Sequence, residues 1–224
     1  MLEEICKKYN NEIKKILDAL KYGCYEELDQ DTFEDDVVCA FEEHYHKKYG
    51  WDNGATKGVF IFKNFGFVIK IPFNHCDGYE LCGASEGDSD WDYCSQEKNR
   101  YTIAKKNGLQ SIFLETALIG NVDGYPIYIQ PIAQSLTNLG YDFKNEKSKT
   151  STDDMKVVKM INEENNYNWI NGIWEADVFA MYGGKYYHKF KNFIKNNYIN
   201  DLRDDNIGYI GLKPVILDYA GYDD

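Results

Sequence analysis

Asn200-Asp201-Leu202-Arg203-Asp204-Asp205-Asn206, with Leu217-Asp218-Tyr219-Ala220-Gly221 shortly after it, is the stretch on which the reading of this chain turns. Asp201 and Asn206 stand five apart, a short hairpin's worth of sequence follows, and Asp218 ends the apolar run Val215-Ile216-Leu217. Phosphoryl transfer from ATP needs three polar groups of these types converging on one phosphate. One Asp orients the attacking hydroxyl, while an Asn and a second Asp hold the metal that neutralises the phosphates. A polar turn feeding a hairpin would use the same residue types. The coincidence of all three at this spacing favours the chemical reading.

Upstream of that segment the pattern is helical. The stretch 185–196 places Tyr186, Phe190, Phe193 and Ile194 on one face, and further helices are expected over 173–181 and 155–164. Residues 133–154 are polar and loop-like. Before them, two strands over 114–121 and 125–131 are joined by Asp123-Gly124, a strong hairpin turn. A helix over 91–106 closes at Asn107-Gly108, and residues 74–90 are rich in Gly, Asp and Ser, as a loop is. Two β-rich runs, 58–62 and 66–72, flank Lys63-Asn64-Phe65. At the start, Leu2, Ile5, Tyr9, Ile13, Ile16, Leu17 and Leu20 predict one amphipathic helix, and Val37, Val38, Phe41 and Tyr45 predict a second over 33–48. Their expected role is to cover the outer face of a sheet. At the other end, strands over 207–210 and 215–217 enclose Gly211-Leu212-Lys213-Pro214. Segregated strands and helices give an α+β fold class.

Composition limits the function classes. With 224 residues, 43% hydrophobic and 16% aromatic, the chain can bury one core or two small ones. It contains no 18-residue apolar run, which argues against a membrane-spanning helix. The N-terminal residues show neither the basic start nor the apolar run of a signal peptide, so a cytoplasmic location is expected. A net charge of −12 opposes nonspecific nucleic-acid binding, which needs a basic face. It does not oppose ATP, because one placed lysine with Mg²⁺ offsets a triphosphate locally. Six cysteines in such a chain are expected as free thiols. His75, Cys76, Cys82 and Cys94 lack the tight ligand pairs of a zinc site.

Lys70 is the only charge in Phe67-Val68-Ile69-Lys70-Ile71, and it projects from a largely apolar strand. An edge-strand lysine reaching solvent would look the same. Glu97 falls within the apolar stripe Trp91, Cys94, Tyr101 and Ala104, a costly place for a carboxylate unless it is paired. Asn53-Gly54-Ala55-Thr56-Lys57-Gly58-Val59 sets two glycines around three residues. Gly54 and Gly58 would let backbone N–H groups approach a phosphate, with Thr56 or Lys57 contributing; an ordinary tight turn explains the same residues.

In this order of elements and residues the chain resembles the protein-kinase superfamily, over roughly residues 50–224. The resemblance implies a two-lobed fold: an N-terminal helical extension (1–50), a β-sheet N-lobe (51–132) and a minimal helical C-lobe (133–224). It assigns Lys70 to the lysine that contacts the α- and β-phosphates and Glu97 to its helix-C partner. It assigns Asp201 to the catalytic base and Arg203 to the position of the lysine that touches the transferred phosphate. Asn206 and Asp218 match the Mg²⁺ ligands, and Gln130 to Ile132 the adenine-binding hinge. Departures are visible. The family's H-R-D is Ile199-Asn200-Asp201 here, its D-F-G is Asp218-Tyr219-Ala220, and only six residues follow Asp218 in this sequence. The chain is similar in this to short bacterial effector-type or phage kinases, which adds a host-cell cytosol to the expected locations.

The resemblance implies an ATP- and Mg²⁺-dependent enzyme phosphorylating a protein serine or threonine, with an activating partner protein to supply missing substrate contacts. Two alternatives stand beside it. One is a pseudokinase-like protein that sequesters a partner through its acidic surface. The other is a small-molecule kinase of the aminoglycoside type, with a pocket drawn from residues 136–184.

Overall fold

The structure, a computed structural model, describes residues 1–74, 92–139, 152–165 and 170–219. They form two compact units. Met1–Asn99 and Glu115–Ile132 make the first, and Arg100–Leu114 and Ala133–Asp224 make the second. The leading helices belong to the same unit as the sheet, and the helix Tyr93–Lys106 contributes residues to both units.

The first unit is built on a five-stranded antiparallel sheet with the leading helices on one face. Its strands are β1 (Gly50–Asn53), β2 (Lys57–Phe62), β3 (Phe67–Pro72), β4 (Ala117–Val122) and β5 (Tyr125–Pro131), in the order β1-β2-β3-β5-β4. Strand β1, unforeseen in the sequence, pairs with β2 from Gly50↔Ile61 to Asn53↔Gly58. The β4–β5 turn carries positive φ at both Asp123 (51°) and Gly124 (90°), the backbone that a two-residue hairpin of type I′ demands.

Alternation along β2 and β3 sorts the side chains. Phe60, Phe62, Phe67, Ile69 and Ile71 turn to one side, where they share a core with the leading helices. The single helix predicted over 2–20 is two, α1 (Leu2–Lys8) and α2 (Asn10–Leu20), broken at Tyr9 with φ −112° and ψ 19°. At the break the Tyr9 ring packs beside Phe65 and Phe67, 5.2 and 6.2 Å away between centroids. The second helix begins earlier than the periodicity indicates. Asp29 and Thr32 form a reciprocal cap at the start of α3 (Gln30–Thr32), a π-helical turn follows over Phe33–Val38, and α4 (Cys39–His44) ends the run. Phe41 of α4 stacks or tilts against Tyr45, Tyr49 and Phe60 at 4.5–5.1 Å.

The second unit contains the later half of α5 (Tyr93–Lys106), then α6 (Thr152–Asn165), α7 (Gly172–Tyr182) and α8 (Gly184–Asn196). A small sheet completes it, ordered β6 (Gln134–Ser135), β7 (Ile207–Ile210) and β8 (Lys213–Ile216). Strand β6 lies where a loop was expected. Its pairing depends on Gly208, since a Cβ there would stand 1.9 Å from the Gln134 carbonyl oxygen. The strand expected over 215–217 runs from Lys213 because the turn is shorter than four residues. Glu175, fully buried on α7, accepts from Lys191 Nζ (2.6 Å) and Tyr187 (2.9 Å) on α8 and from Asn162 (2.5 Å) on α6. Burial pushes the Lys191 ammonium pKa down, while the Glu175 carboxylate opposes that shift. Among the described residues no helix is long and apolar enough to cross a membrane.

Gly58 sits on the helix-facing side of β2, opposite Ile71, and a Cβ there would meet the Phe33 ring at 2.2 Å. Gly58→Ala is expected to lower stability by about 1–3 kcal/mol through overpacking. Gly172→Ala, at the open first position of α7, should be neutral or mildly stabilising. Denaturant unfolding of the two variants checks the contrast.

Candidate functional site

Buried anchors shape the Asp201 loop. Ile199 and Leu202 are 1% and 0% exposed, so the chain is pinned on both sides of Asp201 while its carboxylate remains 23% exposed. The turn closes with Asn206 N and Ile207 N donating to the Arg203 carbonyl at 2.9 and 3.1 Å. Asp204 receives Thr137 N on its carbonyl (3.2 Å) and Asn171 Nδ2 on its side chain (3.1 Å), and Asn171 caps α7 through its other amide atom.

Inside that frame three expected residues meet. Asn206 Nδ2 donates to the Asp201 carbonyl at 2.8 Å and to Asp201 Oδ2 at 3.0 Å. Arg203 Nε lies 2.7 Å from Asp201 Oδ1, so the carboxylate is held from both sides. The Asn206 carbonyl accepts Leu217 N (2.8 Å) and Asp218 N (3.3 Å), which brings Asp218 beside Asn206. Behind Asp218, Tyr219 is 1% exposed, sits edge-on to Phe113 at 5.1 Å and donates its hydroxyl to the Leu114 carbonyl. Arg100 of α5 donates to the Tyr219 carbonyl at 2.9 Å. The Ala220 and Gly221 positions lie outside the described residues.

The donor set suits Mg²⁺. Asn206 commits its NH₂ to Asp201, which leaves Oδ1 as the end that accepts; with the Asp218 carboxylate this makes two hard oxygen groups. Mg²⁺ takes one or two such ligands when phosphates and water complete its shell. Among the described residues no group of three or more His, Cys, Asp or Glu could hold a metal.

In the first unit a set of buried polar groups gathers on the sheet face turned away from α1–α4. Lys70 is not on an edge, because β3 lies between β2 and β5. It pairs with Val59, and Lys57 pairs with Pro72, so the two lysines are diagonal neighbours on that face. Lys70 Nζ lies 3.0 and 2.8 Å from Glu97 Oε1 and Oε2, and Lys57 Nζ lies 2.9 Å from Oε1. Glu97 is fully buried, and the lysines are 6% (Lys57) and 4% (Lys70) exposed. Thr116 donates to Glu97 Oε2 (2.8 Å) and receives Gln130 Nε2 (2.9 Å). A glutamate on an apolar stripe signals that Glu97 has a partner, and it is the resemblance that points to Lys70. The Lys57, Thr116 and Gln130 links carry no periodic signal in the sequence.

Other expected positions fall as follows. Gly54 lies in the β1–β2 turn, its N–H bonded to the Lys57 carbonyl at 3.0 Å, with open space around it. Thr56 ends that turn and receives Phe73 N on its carbonyl at 2.8 Å. Lys57 and Gly58 stand within β2, where Gly58 has the packing role described above. At the expected hinge, the Ile132 N–H is engaged by the Gly66 carbonyl at 2.9 Å. Asp92 receives Ser95 N (2.8 Å) and the Tyr128 hydroxyl (2.5 Å), and burial raises its carboxyl pKa. Cys94 is fully buried and its thiol pKa is raised well above normal, chiefly by desolvation and then by Glu97. His75, Cys76 and Cys82 lie outside the described residues.

Removing the Glu97 carboxylate would take a shared counter-charge from two buried ammonium groups. Glu97→Ala is expected to cost about 3–5 kcal/mol, whereas Thr116→Ala, which removes one hydrogen bond to the charge, should cost about 1.5–3 kcal/mol. Chemical denaturation followed by circular dichroism measures both. No profile of a known protein family matches the chain, and no curated protein matches it.

Proposed function

We propose that the chain is an ATP- and Mg²⁺-dependent phosphotransferase of protein kinase-like fold, acting on a serine or threonine hydroxyl of a protein. The observation that carries this reading is the meeting of Asp201, Asn206 and Asp218 around one turn.

Each residue has a distinct task in this reading. Asp201 orients the acceptor hydroxyl and takes its proton as the oxygen bonds to the γ-phosphorus and the bond to the leaving diphosphate breaks. The Asn206 amide and Arg203 keep the Asp201 carboxylate from rotating away. Arg203, 65% exposed, carries positive charge toward the phosphoryl group in transit. Asn206 Oδ1 and Asp218 would hold Mg²⁺, which neutralises phosphate charge when bound. Lys70, fixed by Glu97, positions the α- and β-phosphates. The acceleration comes from positioning and charge stabilisation, without a covalent enzyme intermediate. The choice of Ser or Thr rests on Arg203 in the D-L-R sequence.

Turnover of γ-labelled ATP with Mg²⁺, with and without cell lysate, tests the reading. Wild type is expected to label a protein band, and Asp201→Ala, Asp218→Ala and Lys70→Ala should each reduce labelling by about 100-fold or more. Label confined to phosphoserine or phosphothreonine supports the acceptor assignment. Transfer that survives Asp218→Ala would overturn the site. ATP binding without transfer would favour the partner-sequestering alternative, and transfer only to an added aminoglycoside would favour the small-molecule one.

A further inference from the structure

Acidic residues outnumber basic ones 37 to 25 in the chain, yet one cleft of the second unit reverses the sign. It measures about 590 Å³, runs along α8 beside the turn that ends α5, and has no Asp or Glu in its lining. The run 178–200, which supplies most of that lining, contains four lysines and a histidine and no acid, and 98–114 contains no acid either. Lys185 and Lys189 line the cleft one helical turn apart, as neighbours on one face of α8. A Cβ on Gly108 would stand 3.9 Å from Lys189 Nζ, which places that ammonium beside the end of α5. Both lysines are exposed, and among the described residues neither makes an ion pair or a hydrogen bond. Like charges at this spacing repel, and an anion seated over both relieves the repulsion.

Asparagines narrow the kind of anion. Asn192 and Asn196 continue the same face of α8, and a side-chain amide offers a donor and an acceptor, as a peptide bond does. Asn107 Nδ2 donates to the Ile103 carbonyl (3.0 Å) and Asn197 Nδ2 to the Phe193 carbonyl (2.8 Å), so what each has left to offer is chiefly its accepting Oδ1. Such acceptors suit the N–H groups of a peptide and oppose the phosphate oxygens of a nucleic-acid backbone, which bring no proton. From Lys185 to Asn196 the face runs about 16 Å, room for about five extended residues.

We propose that this cleft docks an acidic, extended segment of a partner protein, with carboxylates on Lys185 and Lys189 and main-chain groups on the asparagines. The docking needs no nucleotide. Asn197 precedes Asp201 by four residues, a span of at most about 14 Å. In the phosphotransferase reading, on which this step alone rests, the docked partner is therefore the protein substrate.

A fluorescein-labelled oligoglutamate, followed by fluorescence anisotropy without nucleotide, is the probe, and oligothymidylate is the nucleic-acid arm. Wild type is compared with Lys185→Gln/Lys189→Gln, with Asn192→Ala and with Lys156→Gln/Lys159→Gln on α6, which removes the same charge elsewhere. The cleft double variant is expected to weaken oligoglutamate binding about tenfold or more, Asn192→Ala a few-fold, and the α6 control less than about twofold, with all binding falling as salt rises. Equal weakening by the two double variants, or a wild type that does not bind oligoglutamate, overturns the docking cleft. Tighter binding of oligothymidylate overturns the peptide assignment. With labelled ATP and a serine-bearing, glutamate-rich peptide, the cleft double variant should raise KM about tenfold and leave kcat unchanged. Unchanged KM overturns the substrate assignment. Docking that needs both lysines in a wild type with no phosphoryl transfer supports the cleft and sinks the reaction instead.

Discussion

A fully buried carboxylate cannot be left alone, and Glu97 is the point to which much of the first unit answers. Its two oxygens gather ammonium groups from β2 and β3, a hydroxyl from the residue preceding β4 and, through it, an amide from β5. Helix α5 is thereby fixed against three strands and the entry to a fourth by one side chain whose desolvation is tolerable only while all of those partners stay in place. The other face of the sheet is built on a different principle. There Phe60, Phe62 and Phe67 meet the aromatic rings of the leading helices, and the contacts are many, apolar and individually replaceable. One sheet therefore carries a forgiving face and an exacting one, and the alternation of β2 and β3 assigns each residue to its side.

The second unit repeats the device with different chemistry around it. Glu175 draws Lys191, Tyr187 and Asn162 into one buried set, tying α6, α7 and α8 together. Tyr187, pressed by burial and by the Glu175 charge, is held far from ionisation and so keeps the proton it donates to Glu175. No residue of the Asp201 loop belongs to this set. The helices supply a rigid base, Trp174 of α7 reaches the Gly208 carbonyl at 3.0 Å, and the loop rises from the strand so anchored.

Much of this was legible in advance because it follows from periodicity and from local turn chemistry. β5, β7, α7 and α8 lie within about a residue of where the apolar spacing puts them, and Asp123-Gly124 turns as its composition demands. The Asp201, Asn206 and Asp218 convergence was readable because short connections force those positions together. What escaped the sequence has a common cause. β1 and β6 are short, exposed at most positions and held chiefly by backbone pairing, which leaves no side-chain signature. Tyr9 interrupts an unbroken helical pattern through packing on residues more than fifty positions away, which no local window contains. The attachment of Lys57 to Glu97 likewise depends on strand register and not on composition.

Asn206 shows how much direction a single amide can impose. A carboxylate is the same at both oxygens, but an amide has a donating end and an accepting end. The donating end is spent on Asp201, so the orientation of the whole group is set before anything else binds. The side chain behaves as a one-way adaptor, proton-donating toward Asp201 and electron-donating at its other end. Aspartate of nearly identical shape would lose that polarity and add a further negative charge to a turn that already holds Asp201, Asp204 and Asp205. The asymmetry of one functional group thus gives the loop an inside and an outside, fixed by the fold itself.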